Sequence, residues 1–516
     1  MNKAMKRMEG SEEGEAEAKE RISNIDLLVL SAISALAALL TFQPHFRYPF
    51  LLHVDEWFHV AVAKEIILGV QTDWYSGEPF KLGMERAWHL LLASIYFLFR
   101  PSATQWIYLP ALFHVLAVFS TFIFTYNLFG KKEAHISALL VALIPSNVTI
   151  GGPVFLMPVN LSLIFIPLAL LFAFKEDKDK RKETRNCIIL FAITTFLLYA
   201  HPPTAVILLS ILFFYFLLNL FSKEKSARRK AVLIFAVMAL SVLISIPNYM
   251  ETLQEKGAEA AKFNFWIQMR AIPYLYGFIP SIFFIVGLYF LSRRRRKEEW
   301  CLLLSSLFLA LDIFLFTMFG LNWLIPYNRI YIPLFLLMSI IAGYGFGKLV
   351  EIEKPFRSFG CVLLLIFLAI TVIFSVQQHL GTRYYHLINN EDYNNFLWIK
   401  ENTPEDAIVL LEPWKARAFA PIAERRVYTV RPFGPDPEIE AKNELACLFF
   451  VENCSNTSFL IENNISVVYS PVECQNKILV KVWNNTYFVH SPVTAFTVAT
   501  GDERKEGEGE TEREQS

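Results

Sequence analysis

The sequence predicts an α-helical polytopic membrane protein of about 11 transmembrane helices that ends in an extracytoplasmic α/β domain. Three observations predict it. The first is composition: of 516 residues 54% are hydrophobic, 15% aromatic and 19% charged, with 47 Phe, whereas soluble globular chains carry roughly a quarter charged residues. The second is that the apolar excess lies in runs near the ~20 residues that cross a bilayer. The third is the change after residue 380 to mixed polar and apolar sequence with short β-branched stretches. A soluble enzyme and a disordered chain are excluded. The balance of 48 basic and 48 acidic residues gives no reason to expect nucleic-acid binding, and six Cys are too few for a disulfide scaffold.

Residues 1–24 are of mixed charge, without the apolar stretch of a cleaved signal peptide, and read as a disordered cytoplasmic tail. Apolar runs able or nearly able to span follow at 25–43, 104–129, 134–150, 154–174, 186–200, 203–221, 231–247, 273–291, 299–318, 329–347 and 358–376. Charge in the loops sets their orientation. Alternate loops, at 131–132, 175–185, 222–230, 293–297 and 348–357, hold twenty-one Lys and Arg; the intervening loops hold three, Lys256, Lys262 and Arg270. The basic set is expected in the cytoplasm. A further run, 87–99, then has both ends outside, and its 13 residues would cover only ~20 Å. It is expected to lie at the interface within a first external loop, 44–103. The membrane domain is thus 25–376, with the N-terminus cytoplasmic, in the cell membrane.

The external domain is expected over 381–500. Ala407–Leu411, Arg426–Val430, Ile465–Tyr469, Ile478–Trp483 and Tyr487–His490 read as strands, 391–401, 415–424 and 437–451 as helices, and Asn484–Asn485 as a turn. Four glycosylation sequons, at Asn453, Asn456, Asn464 and Asn484, fit an outside location, and others occur at Asn147 and Asn160. One disulfide among Cys447, Cys454 and Cys474 is allowed, with the pair left open. The Glu/Gly-rich 501–516 reads as a disordered acidic tail.

The candidate chemistry begins just past the first span, in His53-Val54-Asp55-Glu56-Trp57-Phe58-His59. If 54–69 is helical, Asp55, Glu56 and His59 share an arc of about 100°. Two carboxylates beside an imidazole can have their pKa values moved apart for base catalysis, and the same three could hold a divalent cation. The plain alternative is an acid, Asp55, capping a helix. Arg329, in Asn328-Arg329-Ile330-Tyr331, is a cation placed against the charge bias, suited to an anionic ligand such as a lipid phosphate or else to simple snorkelling. His201, before two prolines, stands at another outer turn, and Asp312 lies in the outer half of its span, facing a cavity, a partner or the packed interior. There is no P-loop, no Gly-rich nucleotide fingerprint and no nucleophile elbow.

This layout resembles the GT-C glycosyltransferases. The residues that carry the likeness are Val54-Asp55-Glu56-Trp57-Phe58, the helix beginning Trp88-His89-Leu90, Leu128-Phe129-Gly130-Lys131 and Asn328-Arg329-Ile330-Tyr331. The stretch Phe396–Leu410 is similar to the start of the external domain of oligosaccharyltransferase catalytic subunits, although Glu412-Pro413-Trp414-Lys415-Ala416 stands where their Trp-Trp-Asp-Tyr-Gly motif would follow. The second external loop, 145–160, also lacks the acid that related enzymes carry. The resemblance implies a polyprenyl- or dolichyl-phosphate-linked sugar as donor and a protein, lipid or glycan acceptor. It implies the first-loop acids, Asp55 with Glu56, as the catalytic acids, and a basic outer residue, Arg329, for the lipid phosphate; His201, His59 and Asp312 join it, from their positions alone, as candidates for binding substrate or lipid phosphate. The acid-free loop favours a base mechanism without a metal; a cation, if used, would be Mn²⁺ or Mg²⁺ on Asp55, Glu56 and His59. The competing expectations are a flippase for a lipid-linked sugar, which would show inverted repeats, and a noncatalytic scaffold.

Overall fold

The computed structural model describes residues 21–490 apart from 176–178, 256–270, 295, 322–324, 326, 352–356 and 432–435. Residues 1–20 of the expected N-terminal tail, all of 501–516, and 491–500 of the expected external domain lie outside the described residues. The chain forms two compact units: Met1–Asp73 with Glu78–Asn389, and Trp74–Gly77 with Asn390–Ser516.

The first unit is helical. Among the described residues, eight helices are long and apolar enough to cross a membrane, and they include α1 (Asn24–Phe42), α4 (Tyr108–Leu128), α7 (Lys180–Ala200), α8 (Pro202–Leu220), α12 (Lys297–Phe319) and α13 (Tyr331–Glu351). Four shorter helices matter to the site or to the span count: α2 (Val54–Leu68), α3 (Arg86–Phe99), α5 (Lys131–Ala142) and α11 (Phe278–Arg293). The expected span 134–150 is the largest departure. Helix α5 ends at Ala142, about 18 Å long, because Pro145 pushes the residue before it out of the helical region. Gly151 and Gly152, at φ +77° and +122°, then turn the chain back. The run 273–291 is likewise two helices, divided at Gly277 (φ +107°).

Helix α13 is the hub, buried from Tyr331 through Gly347. Small residues allow its neighbours to approach: a Cβ on Gly345 would stand 2.6 Å from the backbone N of Gly287 on α11, and one on Gly343 would stand 2.9 Å from the backbone N of Ser137 on α5. Helix α3 spans 14 residues, about 21 Å. It buries Trp88, His89, Leu92, Ala93 and Tyr96 and exposes Leu90, Phe97, Leu98 and Phe99. Two apolar faces on a helix too short to cross suit an interfacial position.

The second unit is an α/β fold with a five-stranded sheet. Its strands are β1 (Ile408–Leu410), β2 (Arg426–Val427), β3 (Val467–Tyr469), β4 (Leu479–Trp483) and β5 (Thr486–Val489), in the order β2-β1-β3-β5-β4. The first three are parallel, and β4 and β5 form a hairpin across Asn484–Asn485. Each of the five expected strands is present, usually shorter by one to three residues, and the helix Thr457–Glu462 is additional. Leu410, Phe449, Leu460, Val468 and Tyr487 build the core beside the disulfide Cys454–Cys474, which leaves Cys447 free and exposed. The edge strand β2 is covered by Trp74–Gly77: Val427 N–H donates to Trp74 O at 2.9 Å, and the Tyr75 hydroxyl donates to Arg417 O at 2.8 Å. Gly77, at φ +73°, lies so close to Arg426 that a Cβ would stand 2.6 Å from its Nη2.

Candidate active site

The site begins at the N-terminus of α2, where the first four N–H groups have no partner within the helix. His53 is the cap residue, extended at φ −138°, ψ 148°. Its Nδ1 accepts the Asp55 N–H at 3.1 Å, and its Nε2 contacts Val148 O at 3.2 Å. A neutral ring satisfies both contacts with the proton on Nε2. Burial lowers the His53 pKa below the usual imidazole value, which keeps the ring in that form.

Glu56 is fully buried and completes the cap. Its Oε2 accepts the N–H groups of Leu52 and His53, both at 2.8 Å, and its Oε1 accepts Leu156 N–H at 2.7 Å. Burial pushes its pKa up to about 8 against the pull of these amides. Both oxygens are therefore committed to holding the first loop against the second. The capping role open to Asp55 in the sequence is performed by its neighbour, and Glu56 is not placed to accept a proton from a substrate or to ligate a metal with Asp55.

Asp55 turns the other way. Its side chain is 19% exposed, and its Oδ2 lies 3.9 Å from Nη2 of Arg329, itself 32% exposed. That is a charge pair at a separation too long for a hydrogen bond. The sequence interval between the two is 274 residues, and the short 3₁₀ turn Tyr327–Arg329 before α13 brings them together.

One helical turn past Asp55, His59 leaves the expected set and joins another. Its Nδ1 lies 3.0 Å from Nε2 of His89, and its Nε2 lies 3.9 Å from Oε2 of Glu85. The other oxygen of Glu85 lies 3.9 Å from Nε2 of His201. His201 caps α8, with Nδ1 2.7 Å from the Thr204 hydroxyl. The imidazoles of His59, His89 and His201 all sit in low dielectric. Burial brings His89 down to about 4 and holds His59 and His201 well below the usual value, with the Arg329 charge adding to the effect on the last two. The three residues expected to hold a cation, if one is used, are not gathered on one point: Glu56 is held by backbone amides and His59 faces His89 and Glu85. Among the described residues, the grouping with metal-ligand spacing is His59, Glu85 and His89.

His201 belongs with Glu85 and Thr204, and its neutral ring is a poor counter-charge for a phosphate. Asp312 is buried on α12 with Oδ2 unpaired, and no hydrogen bond or ion pair joins it to these residues. Sequence reasoning missed Glu85 and His89 as a pair. The available signal was their i,i+4 spacing at the start of α3, which puts both on one helix face, together with the concentration of His53, His59 and His89 in one loop of a chain with 10 His.

No family model and no curated protein matches the chain. Solved structures do. The chain is similar to the archaeal oligosaccharyltransferase AglB from Archaeoglobus fulgidus, in complex with an inhibitory peptide and a dolichol-phosphate. The TM-score is 0.61 at 14% identity, covering 86% of this chain and 69% of that one. It is similar to ArnT from Cupriavidus metallidurans bound to undecaprenyl phosphate, at TM-score 0.55 and 11% identity over 87% and 96% of the two chains. The arabinofuranosyltransferase AftD from Mycobacteria matches at TM-score 0.59 and 14% identity over 88% of this chain and 37% of that one. At 11–14% identity these likenesses show a shared fold, and with its long apolar helices the chain is an integral, multi-pass membrane protein.

Proposed function

We propose that the protein transfers a sugar from a polyprenyl- or dolichyl-phosphate donor to an acceptor hydroxyl or amide. The observation that carries the reading is the Asp55–Arg329 pair: a carboxylate and a guanidinium face each other across 3.9 Å, both partly exposed. The acceptor oxygen or nitrogen attacks the anomeric carbon, the bond from that carbon to the phosphate oxygen breaks, and its electron pair leaves with the phosphate. Asp55 takes the acceptor proton, and Arg329 meets the charge that grows on the departing phosphate, which a guanidinium can hold bidentately. The lipid phosphates held by AglB and ArnT in structures of this fold support the donor class. No cation at Asp55 is part of this scheme, since the amides occupy Glu56 and the second loop contributes Leu156 N–H and Val148 O, not an acid.

The test is a transfer assay on purified protein with a panel of polyprenyl-phosphate sugars, run beside Asp55→Asn and Arg329→Ala. Transfer by the parent, loss of turnover in the first variant and weaker donor binding in the second are expected. Full transfer by Asp55→Asn rejects the base, and a protein that moves labelled donor across vesicles without transferring it is a flippase. We further propose, from the loop charges, that the first loop and the C-terminal unit face away from the cytoplasm. Thiol labelling at Ser102→Cys and Ser470→Cys from the extracytoplasmic side should tag both; labelling of Ser102→Cys from the cytoplasm alone would overturn this orientation.

A further inference from the structure

We propose that His59, Glu85 and His89 form a zinc-class metal site, separate from the Asp55–Arg329 pair, that locks α2 to the start of α3. One ligand atom from each of His59, Glu85 and His89 lies within 4.8 Å of the other two, close enough for small side-chain shifts to seat a tetrahedral Zn²⁺, whose ligand atoms stand about 3.4 Å apart for bonds of about 2.1 Å. Two imidazoles and one carboxylate are the donor set that zinc takes, whereas Mg²⁺ and Ca²⁺ take oxygen.

His89 supplies an independent sign. It is 2% exposed and its Nδ1 has no hydrogen-bond partner. In the absence of a metal its Nε2 faces Nδ1 of His59, so the two rings share one proton between two lone pairs. A buried, half-satisfied imidazole costs free energy, and ligation at Nδ1, the nitrogen without a partner, would offset that cost. His201 stands behind the site. With Nδ1 accepting from Thr204, its Nε2–H points the remaining proton at Glu85, the arrangement by which an outer residue orients a ligating carboxylate. Glu85 keeps 27% side-chain exposure, which gives the ion a way in. The metal's role is positional. His59 is four residues past Asp55 on the same helix, so fixing His59 to the first turn of α3 fixes the direction in which Asp55 presents its carboxylate.

The full-length protein, purified on a histidine-free affinity tag, is stripped with chelator, incubated with ZnCl₂, desalted and assayed for metal by mass spectrometry. No donor sugar is present, so the outcome is independent of the transferase reading. About one Zn²⁺ per chain is expected, with cobalt giving the visible absorption of a four-coordinate nitrogen and oxygen site. His89→Ala and Glu85→Gln should each retain less than about a tenth of that zinc, and His201→Ala should bind it about 10–100-fold more weakly, as outer-shell changes do. His89 is buried, so its variant could lose the fold; Glu85→Gln keeps shape and partial exposure and decides the matter, with gel filtration of the stripped protein as the folding control. Zinc retained in full by Glu85→Gln, no zinc on the parent, or a preference for Mg²⁺ over Zn²⁺ overturns the proposal.

Discussion

The two ends of the first turn and a half of α2 make opposite use of similar chemistry. At its N-terminus the carboxyl group of Asp55 and the guanidinium group of Arg329 stand 3.9 Å apart and keep access to the surroundings. One turn further on, His59, His89 and His201 are buried and uncharged around the half-exposed Glu85. The first arrangement can exchange protons and meet an anion; the second cannot do so without losing the neutrality on which its burial depends. Adjacent Asp55 and Glu56 show the same divide at its narrowest: two acids one residue apart, one open to a ligand and one closed by three amides. Type and spacing mark such residues as chemical, but only burial and partners separate a reacting group from one that holds the site in shape.

That division can be broken most severely at Asp55. Asp55→Asn keeps the volume and removes the proton acceptor, so turnover should fall by roughly 100- to 10,000-fold, while the melting temperature of the purified protein hardly moves. Glu56→Ala should do the reverse. It leaves three buried N–H groups without an acceptor, and at about 1–3 kcal/mol for each group left unsatisfied the loss of stability should reach about 3 kcal/mol or more, read as a lower melting temperature. A Glu56→Ala protein that melts like the parent would show that the clamp is dispensable. The smallest effect is on pH dependence. His89 is held down to about 4 in the fold, against about 6.5 in an unfolded chain. A lowered imidazole pKa contributes stability that is present above 6.5 and lost as pH falls from 6.5 towards 4. Thermal melts of the metal-stripped protein should therefore decline across that window, and His89→Gln should flatten the decline; an unchanged slope would mean that His89 is not buried as described.

Much of the C-terminal unit could be read from sequence because its signals are local. Val409, Val427 and Val468 lie in β-branched stretches, and the Asn484–Asn485 pair marks the hairpin between β4 and β5. The membrane helices were legible for the same reason, from uninterrupted apolar runs. The run 134–150 misled because hydropathy is blind to backbone geometry: Pro145 and the two positive-φ glycines decide that segment, although it is as apolar as a span. The site was half legible. Asp55 and Arg329 stood out as charges in unusual places, and the structure brings them together. The partners of Glu56 were invisible, since a backbone amide such as that of Leu156 has no residue type to read. The association of His59 with Glu85 and His89, and of Glu85 with His201, depends on how α2, α3 and α8 pack, which no local pattern encodes.

The four residues Trp74–Gly77 have a consequence in time. They are made before almost all of the protein, and the sheet whose edge they cover is made last. At elongation rates of about 5–20 residues per second, roughly 15 to 60 s pass between Gly77 and Asn390 leaving the ribosome's active centre. During that interval the carbonyl of Trp74 and the hydroxyl of Tyr75 lack the partners they have in the finished protein, Val427 and Arg417. The C-terminal unit is therefore not a contiguous gene fragment. A chain begun at Asn390 would carry all five strands and the disulfide yet leave the β2 edge uncovered, so excision of this unit for separate study should include a tethered copy of Trp74–Gly77.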